Sequence, residues 1–310
     1  RVAENAANGT TVGLTAIATD ADGTNNTVTY TLSNNAGGRF AINSATGVVT
    51  VANGTLLNYE TALSYSITVV ATSTDGSTAS QAFTINLSDV DEFDVGAVTD
   101  VNAAANSVAE NAANGTVVGV TARATDADRS NNTITYTLTN NAGGRFAINS
   151  ASGIVTVANG SLLNYEAGTS HTITVLATSA DGSTSSQSFT INLTDVDEFN
   201  VGAVTDVNAT ANVVAENAAN GTTVGITASA SDPDGTTNAI TYTLSDSAGG
   251  RFAINSTSGV VTVANGSLLN LEALSSHSIT VLASSTDGST SSQSFTISLF
   301  DIDEFNVGPI

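Results

Sequence analysis

The sequence repeats itself at a fixed long step. Leu87-Ser88-Asp89-Val90-Asp91-Glu92-Phe93 returns as Leu193-Thr194-Asp195-Val196-Asp197-Glu198-Phe199 and again as Leu299-Phe300-Asp301-Ile302-Asp303-Glu304-Phe305, so Asp89 to Asp195 and Asp195 to Asp301 are each 106 positions apart. Glu4, Glu110 and Glu216 keep that step, as do Asp20, Asp126 and Asp232, and Glu60, Glu166 and Glu272. A period held without gaps specifies an array of like domains rather than one large fold. At 106 residues each copy is long enough to bury its own core, which no solenoid unit is. The 310 residues hold just under three copies. Residues 1–93 form the first repeat, 94–199 a linker plus the second, 200–305 a linker plus the third, and 306–310 the start of another linker. Arg1 falls where Ser107 stands in the second copy, and 306–310 match Asn200 to Val204, so a slice from a longer array is expected.

Within one copy the pattern is that of strands. Val12, Leu14, Ala16 and Ala18 alternate with threonines, and Val28, Tyr30 and Leu32 form the inward face of a second run. Phe40-Ala41-Ile42 and Val48 to Val51 read as two short strands around a glycine turn, and Ser66 to Ala71 with Gln81 to Leu87 as a closing pair joined at Asp75-Gly76-Ser77. With a short strand beside Val2, each copy offers about seven strands with turn signals every 8 to 12 residues. The expected fold is all-β: three tandem seven-stranded antiparallel Greek-key sandwiches. No segment carries a helical period, although Asn53 to Glu60 has room for one helical turn. The linkers, Asp94 to Ser107 and Asn200 to Val213, are small and polar and left alone would flex.

Composition narrows the function. There are no cysteines, so neither disulfides nor thiolate–metal chemistry is available, and something else must stiffen the domains. The net charge of -22, from 28 acids against six arginines and no lysine, argues against nucleic acid or an anionic membrane as partner. No apolar run approaches the ~20 residues needed to span a bilayer, so direct membrane insertion is not expected. The acids are confined: all but Asp94, Asp100, Asp206 and Asp246 recur at matching positions in the three copies. A charge kept for solubility would be spread over the strand faces, so this confinement marks sites.

With these residues in place, the sequence resembles cadherin-type repeats, in particular the cadherin-like arrays of very large secreted bacterial adhesins. Val2-Ala3-Glu4-Asn5 is similar to the family's opening V-x-E-N, Asp20-Ala21-Asp22 to its D-x-D, and Phe40-Ala41-Ile42-Asn43 with Thr46-Gly47 to F-x-I-D-x-x-T-G. Leu57-Asn58-Tyr59-Glu60 resembles L-D-x-E, Ala71 to Asp75 the A-x-D turn, and Asp89 to Phe93 the D-x-N-D-N stretch. The resemblance implies a calcium cluster at each junction, built from the base of one domain, the linker and the top of the next. At the first junction it implies Glu4, Glu60, Asp91, Glu92, Asp126, Asp128 and Asp181, with carbonyl oxygens near Phe93 and Asn132. At the second it implies Glu110, Glu166, Asp197, Glu198, Asp232, Asp234 and Asp287, with carbonyl oxygens near Phe199 and Asn238. The outer ends carry half-sites: Asp20, Asp22 and Asp75 at one, Glu216, Glu272, Asp303 and Glu304 at the other. Three departures stand out. Asn58, Asn164 and Asn270 replace an aspartate, Phe93, Phe199 and Phe305 replace an asparagine, and the linker is a few residues longer than in animal cadherins. An inventory of carboxylates and carbonyls without thiolate or imidazole suits a hard cation that takes six to eight oxygens.

Other residues read as scaffold. Arg39, Arg145 and Arg251 are expected as surface ion pairs or loop anchors, and His171 and His277, which stand where the first copy has Tyr65, as solvated strand residues. Tyr30, Tyr136, Tyr242, Phe40 and Phe83 take inward positions, so no exposed ring array is offered to a sugar. A nucleophile, base and pocket in combination are missing, so no enzyme is expected. The expected function is that of calcium-rigidified extender repeats of an extracellular, secreted or surface-attached adhesin serving cell adhesion or biofilm formation. The alternative is that the repeats themselves bind surface glycans, or pair with identical chains into a filament or matrix.

Overall fold

The structure, a computed structural model, describes residues 1–303. In the first repeat, alternating apolar residues produce β1 (Val2–Ala3), β2 (Thr11–Thr15), β3 (Val28–Asn34), β4 (Phe40–Ile42), β5 (Val48–Val51), β6 (Ser64–Ser73) and β7 (Thr78–Ser88). They form two sheets, ordered β1-β7-β6-β3 and β2-β5-β4. Val49 and Val51 of β5, Ile67 and Val69 of β6, and Ile85 and Leu87 of β7 point between the sheets and are buried with Val12, Tyr30, Phe40 and Leu57. This is the period-2 arrangement of a sandwich with one wet face per sheet. The later copies bury the same positions: Ile173, Ile191 and Leu163, then Ile279, Ile297 and Leu269. The turn before β5 needs Gly47, at φ +66°, because a Cβ there would lie 2.2 Å from the Ala16 carbonyl oxygen.

The expected sandwich is present three times, with refinements. Pairing is antiparallel except that β1 runs parallel to β7, Val2 opposite Leu87 and Ala3 opposite Ser88. The counterparts Ser107–Ala109 and Val213–Ala215 do the same. Asn53 starts a single 3-10 turn, Gly54–Leu56, by accepting the Thr55 N–H.

The linker is not left to flex. Val95 and Val98 are buried in the core of the second repeat, and β8 (Thr99–Asp100) pairs with Ala122 and Arg123 of the strand Val117–Arg123. The Gly96 N–H donates to the Thr125 carbonyl at 2.8 Å and the Val101 N–H to Thr121 at 3.0 Å. Asp100 Oδ1 accepts from the Thr121 and Asn102 amides, both at 3.0 Å. The second linker repeats this with Val201, Val204, the strand Thr205–Asp206 and Asp206. Two valines three apart anchor a segment whose composition otherwise reads as flexible, and the second and third sandwiches gain an eighth strand from it.

His171 and His277 are not solvated. His277 is buried and His171 half-buried, each ring stacked obliquely on a core phenylalanine, Phe146 or Phe252, with centroids 6.3 and 6.2 Å apart. Strand alternation places the residue inward at the end of its strand, where the phenylalanine covers it. Arg39 is a loop anchor: its Nε donates to the Leu56 carbonyl and its Nη1 to that of Ala36, and its guanidinium lies 4.3 Å from the centre of the Tyr65 ring.

Candidate metal centres at the domain junctions

The parallel pairing of β1 with β7 sets up the first junction. It places Glu4 beside Asp89, with the Glu4 N–H donating to the Ser88 carbonyl at 3.0 Å. Glu4 is 1% exposed. Its Oε2 accepts the Tyr59 N–H at 2.5 Å and its Oε1 the Val90 N–H at 2.9 Å, so one carboxylate clamps the Glu60 loop to the stretch after β7. One oxygen from each of Glu4, Glu60, Asp89 and Glu92 lies within 4.8 Å of the others. The next domain closes this group, Ser130 donating both its N–H and its hydroxyl to Asp89 Oδ2, while within the first repeat Asn5 Nδ2 donates to Glu92 Oε1. Beside it stands a second group in which Asp91 from the first repeat meets Asp128 and Asp181 from the second, again within 4.8 Å.

Asp128 is buried and accepts the Phe93 N–H at 3.2 Å and, more weakly, the Glu92 N–H at 3.5 Å. Asp126 supports it from behind, Oδ1 taking the Asp128 N–H at 3.1 Å and Oδ2 the Ser179 hydroxyl. Asp181 accepts from the Ser183 N–H and hydroxyl, and the same hydroxyl oxygen accepts the Val95 N–H at 2.8 Å, which ties the linker to the group.

The second junction repeats the plan. Glu110, Glu166, Asp195 and Glu198 make one group and Asp197, Asp234 and Asp287 the other. Glu110 clamps the Tyr165 and Val196 amides, Asp195 Oδ2 accepts from the N–H and hydroxyl of Thr236, and Asp234 takes the Glu198 and Phe199 amides at 3.2 Å. Asp232 stands behind Asp234 as Asp126 stands behind Asp128. Among the differences between the junctions, one changes what meets the Glu60 loop and its copy. Gly235 donates its N–H to Glu166 Oε1 at 2.9 Å, whereas Arg129 in its place sets Nη1 3.3 Å from the Glu60 carbonyl oxygen.

Like charges packed this closely shift their own protonation. Burial, and then the charges of Asp181 and Asp128, push the Asp91 carboxyl above the usual range, and burial with Glu60 does the same to Glu92. Glu4 is raised by burial against the pull of its two amide donors, and Asp197 and Glu198 follow their counterparts. Asp181 and Asp195 move the other way, held down chiefly by the Ser183 N–H and the Thr236 hydroxyl.

Both carboxylate oxygens of Glu60, and Oδ1 of Asp89, Oδ1 of Asp195 and Oδ2 of Asp234, are buried without a hydrogen-bond donor. Buried carboxylate oxygens normally have partners, and oxygens alone in a strongly negative cluster fit a hard divalent cation. Asp89 and Asp195 were absent from the ligand set that the resemblance implied, although their 106-residue step marks them as clearly as the rest. Phe93 and Phe199 enter through their N–H groups, and Asn132 and Asn238 through side-chain amides that donate to the Asp128 and Asp234 carbonyls. Asn58 accepts the Thr61 N–H, capping the turn that carries Glu60. At the outer ends Asp20, Asp22 and Asp75 gather within 4.8 Å, and Glu216 accepts the Leu271 and Ile302 amides. Glu304, Phe305 and the linker start at 306–310 lie outside the described residues.

The family model for the cadherin domain matches residues 1–88, 105–194 and 211–299. The chain belongs to the cadherin family. Among solved structures it is similar to mouse cadherin-23 EC22-24, at 26% identity and TM-score 0.71, over 97% of this chain and 95% of that one. Protocadherin gamma B2 extracellular domains 1-5 match at 22% identity and TM-score 0.77, over 98% of this chain and 58% of that one. Mouse protocadherin-24 EC1-3 matches at 22% identity and TM-score 0.65, over 96% and 95%. The two protocadherins attest the fold alone. No curated protein sequence matches the chain. The chain is thus a tandem array of cadherin domains, and the family's matches leave out 89–104 and 195–210, which include most of both linkers that the structure shows packed on the repeats that follow them. Among the described residues no helix is long and apolar enough to cross a membrane.

Proposed function

We propose that these repeats are calcium-stiffened extenders of a long extracellular adhesion protein of the large bacterial type. The observation that carries the reading is the set of buried, donorless oxygens of Glu60 and Asp89 beside those of Glu4 and Glu92, at a junction the next domain closes through Ser130. Calcium bound there supplies the positive charge these carboxylates lack. Glu4 and Glu110 fix the loops, Asp128 and Asp234 hold the stretch before the linker by its amides, and Asp181 and Asp287 complete the group from the far side. The bacterial assignment is supported by the ungapped recurrence of one 106-residue unit, linkers included.

Calorimetric melting in calcium, in equimolar magnesium and in chelator tests the ion. The folded state alone presents the assembled groups, so calcium raises Tm with concentration. Magnesium demands a tighter octahedral shell and keeps its waters, so it raises Tm far less. Equal melting in all three solutions contradicts the proposal.

A further inference from the structure

The two junctions share a plan but not every contact. Where the second has Gly235, the first has Arg129, an exposed residue of the second repeat whose Nη1 donates back to the Glu60 carbonyl at 3.3 Å. Glu60 is half-buried there, whereas its copy Glu166 is exposed. The second junction has no room for such a side chain: a Cβ on Gly235 would lie 2.5 Å from the Tyr165 ring and 3.0 Å from Glu166 Oε1. Its N–H donates to that oxygen instead, at 2.9 Å. The buried aspartates differ as well. Asp128 uses both oxygens, Oδ2 for the Phe93 N–H at 3.2 Å and Oδ1 for the Glu92 N–H at 3.5 Å. Asp234 takes both counterpart amides on Oδ1. Its Oδ2 is left without a donor, on a side chain that is 1% exposed and grouped with Asp197 and Asp287. An oxygen so placed is a ligand for a hard cation.

We propose that the second junction holds calcium more tightly than the first, and that Arg129 sets much of the difference by keeping a permanent positive charge beside the first. The proposal deepens the calcium reading above and rests on it. A guanidinium stays charged at any working pH, and it opposes a divalent ion twice as strongly as it would a monovalent one at the same distance. One observation favours the first junction: Glu60 keeps both oxygens free of donors, whereas Glu166 accepts from Gly235. That N–H is a dipole rather than a charge, and a carboxylate oxygen that accepts it keeps a second lone pair for an ion. Against it stand the full charge of Arg129 and the extra donorless oxygen of Asp234, so the second junction wins. As calcium falls, the chain therefore loosens first between the first and second repeats, while the second and third remain joined. The consequence is a bend at one defined place instead of an even softening along the chain.

Hydrogen exchange on the 310-residue chain through a calcium titration tests the proposal. The amides of Val90 and Phe93 report the first junction, and those of Val196 and Phe199 the second. The second pair is expected to become protected at a calcium concentration roughly tenfold lower than the first. Arg129→Gln keeps a polar side chain and removes the charge, and should bring the first midpoint down by roughly threefold or more. Arg129→Lys keeps the charge and should leave that midpoint near the parent's, which a role in packing alone would not do. Neither variant should move the midpoint of the second pair. Coincident midpoints in the parent, the reverse order, an Arg129→Gln chain that titrates as the parent does, or equal shifts in the two variants overturn the proposal and leave the calcium reading standing. Protection that ignores calcium at all four amides overturns both.

Discussion

Replacing Glu60 by Gln keeps the volume of a side chain whose two oxygens are buried without donors and removes one charge. The Glu60 oxygen lies within 4.8 Å of oxygens of Glu4, Asp89 and Glu92. At that separation and an effective dielectric of about 20, each pair of charges repels by about 3.5 kcal/mol. The pair with Asp89 alone sets the scale of the relief. In chelator, Glu60→Gln is therefore expected to stabilise the first junction by about 3 kcal/mol, roughly a hundredfold in amide protection. In calcium the sign reverses, because a ligand has been lost. Hydrogen exchange reads this directly at Val90 and Phe93, whose amides donate to Glu4 and Asp128, with Val196 and Phe199 at the second junction as internal controls. A change of the same sign in both solutions, or an equal change at both junctions, refutes the reasoning.

The raised carboxyls, Glu4, Asp91, Glu92, Asp197 and Glu198, lose stability as pH rises through their elevated folded values. In chelator both junctions should accordingly be better protected near pH 5 than at pH 7.5, while the gain from calcium shrinks over the same descent because protons compete for the ligands. His171 and His277 are depressed below 6.5 by burial and then by Arg145 or Arg251, so the unfolded chain takes up their protons first. Repeats two and three should lose stability as pH falls below about 6.5, and His171→Tyr with His277→Tyr should remove that component of the melting curve. Val98→Ala deletes two buried methyls from the linker anchor and should cost about 2 kcal/mol in the second repeat, seen as an earlier calorimetric transition that leaves the first repeat in place.

The sandwich was legible because inward positions such as Val49, Val51, Ile85 and Leu87 alternate, and because turn residues such as Gly47 recur where only glycine fits. The acids of the two junctions were legible through their common step, since each came with partners at matching positions in every copy. Asp89's place in the acidic group was missed because it is set by a hydrogen bond with Ser130 across the junction that no local pattern announces. The linker's order was hidden because two valines among small polar residues look like nothing until the groove beside Ala122 is present to receive them. The histidines were misjudged for a related reason: their burial comes from Phe146 and Phe252, which lie more than twenty residues upstream.

Small-angle scattering on this chain, in millimolar calcium and then in chelator at a concentration that keeps it monomeric, tests the central claim most directly. The account predicts a longer maximum dimension and a rod-like distance distribution with the ion, giving way to a shorter, broader distribution when the carboxylates of Glu60, Glu92 and Asp128 are left to repel one another. Superimposable profiles in the two solutions would mean that the packed linkers alone set the shape, and that the acids at the junctions do something else.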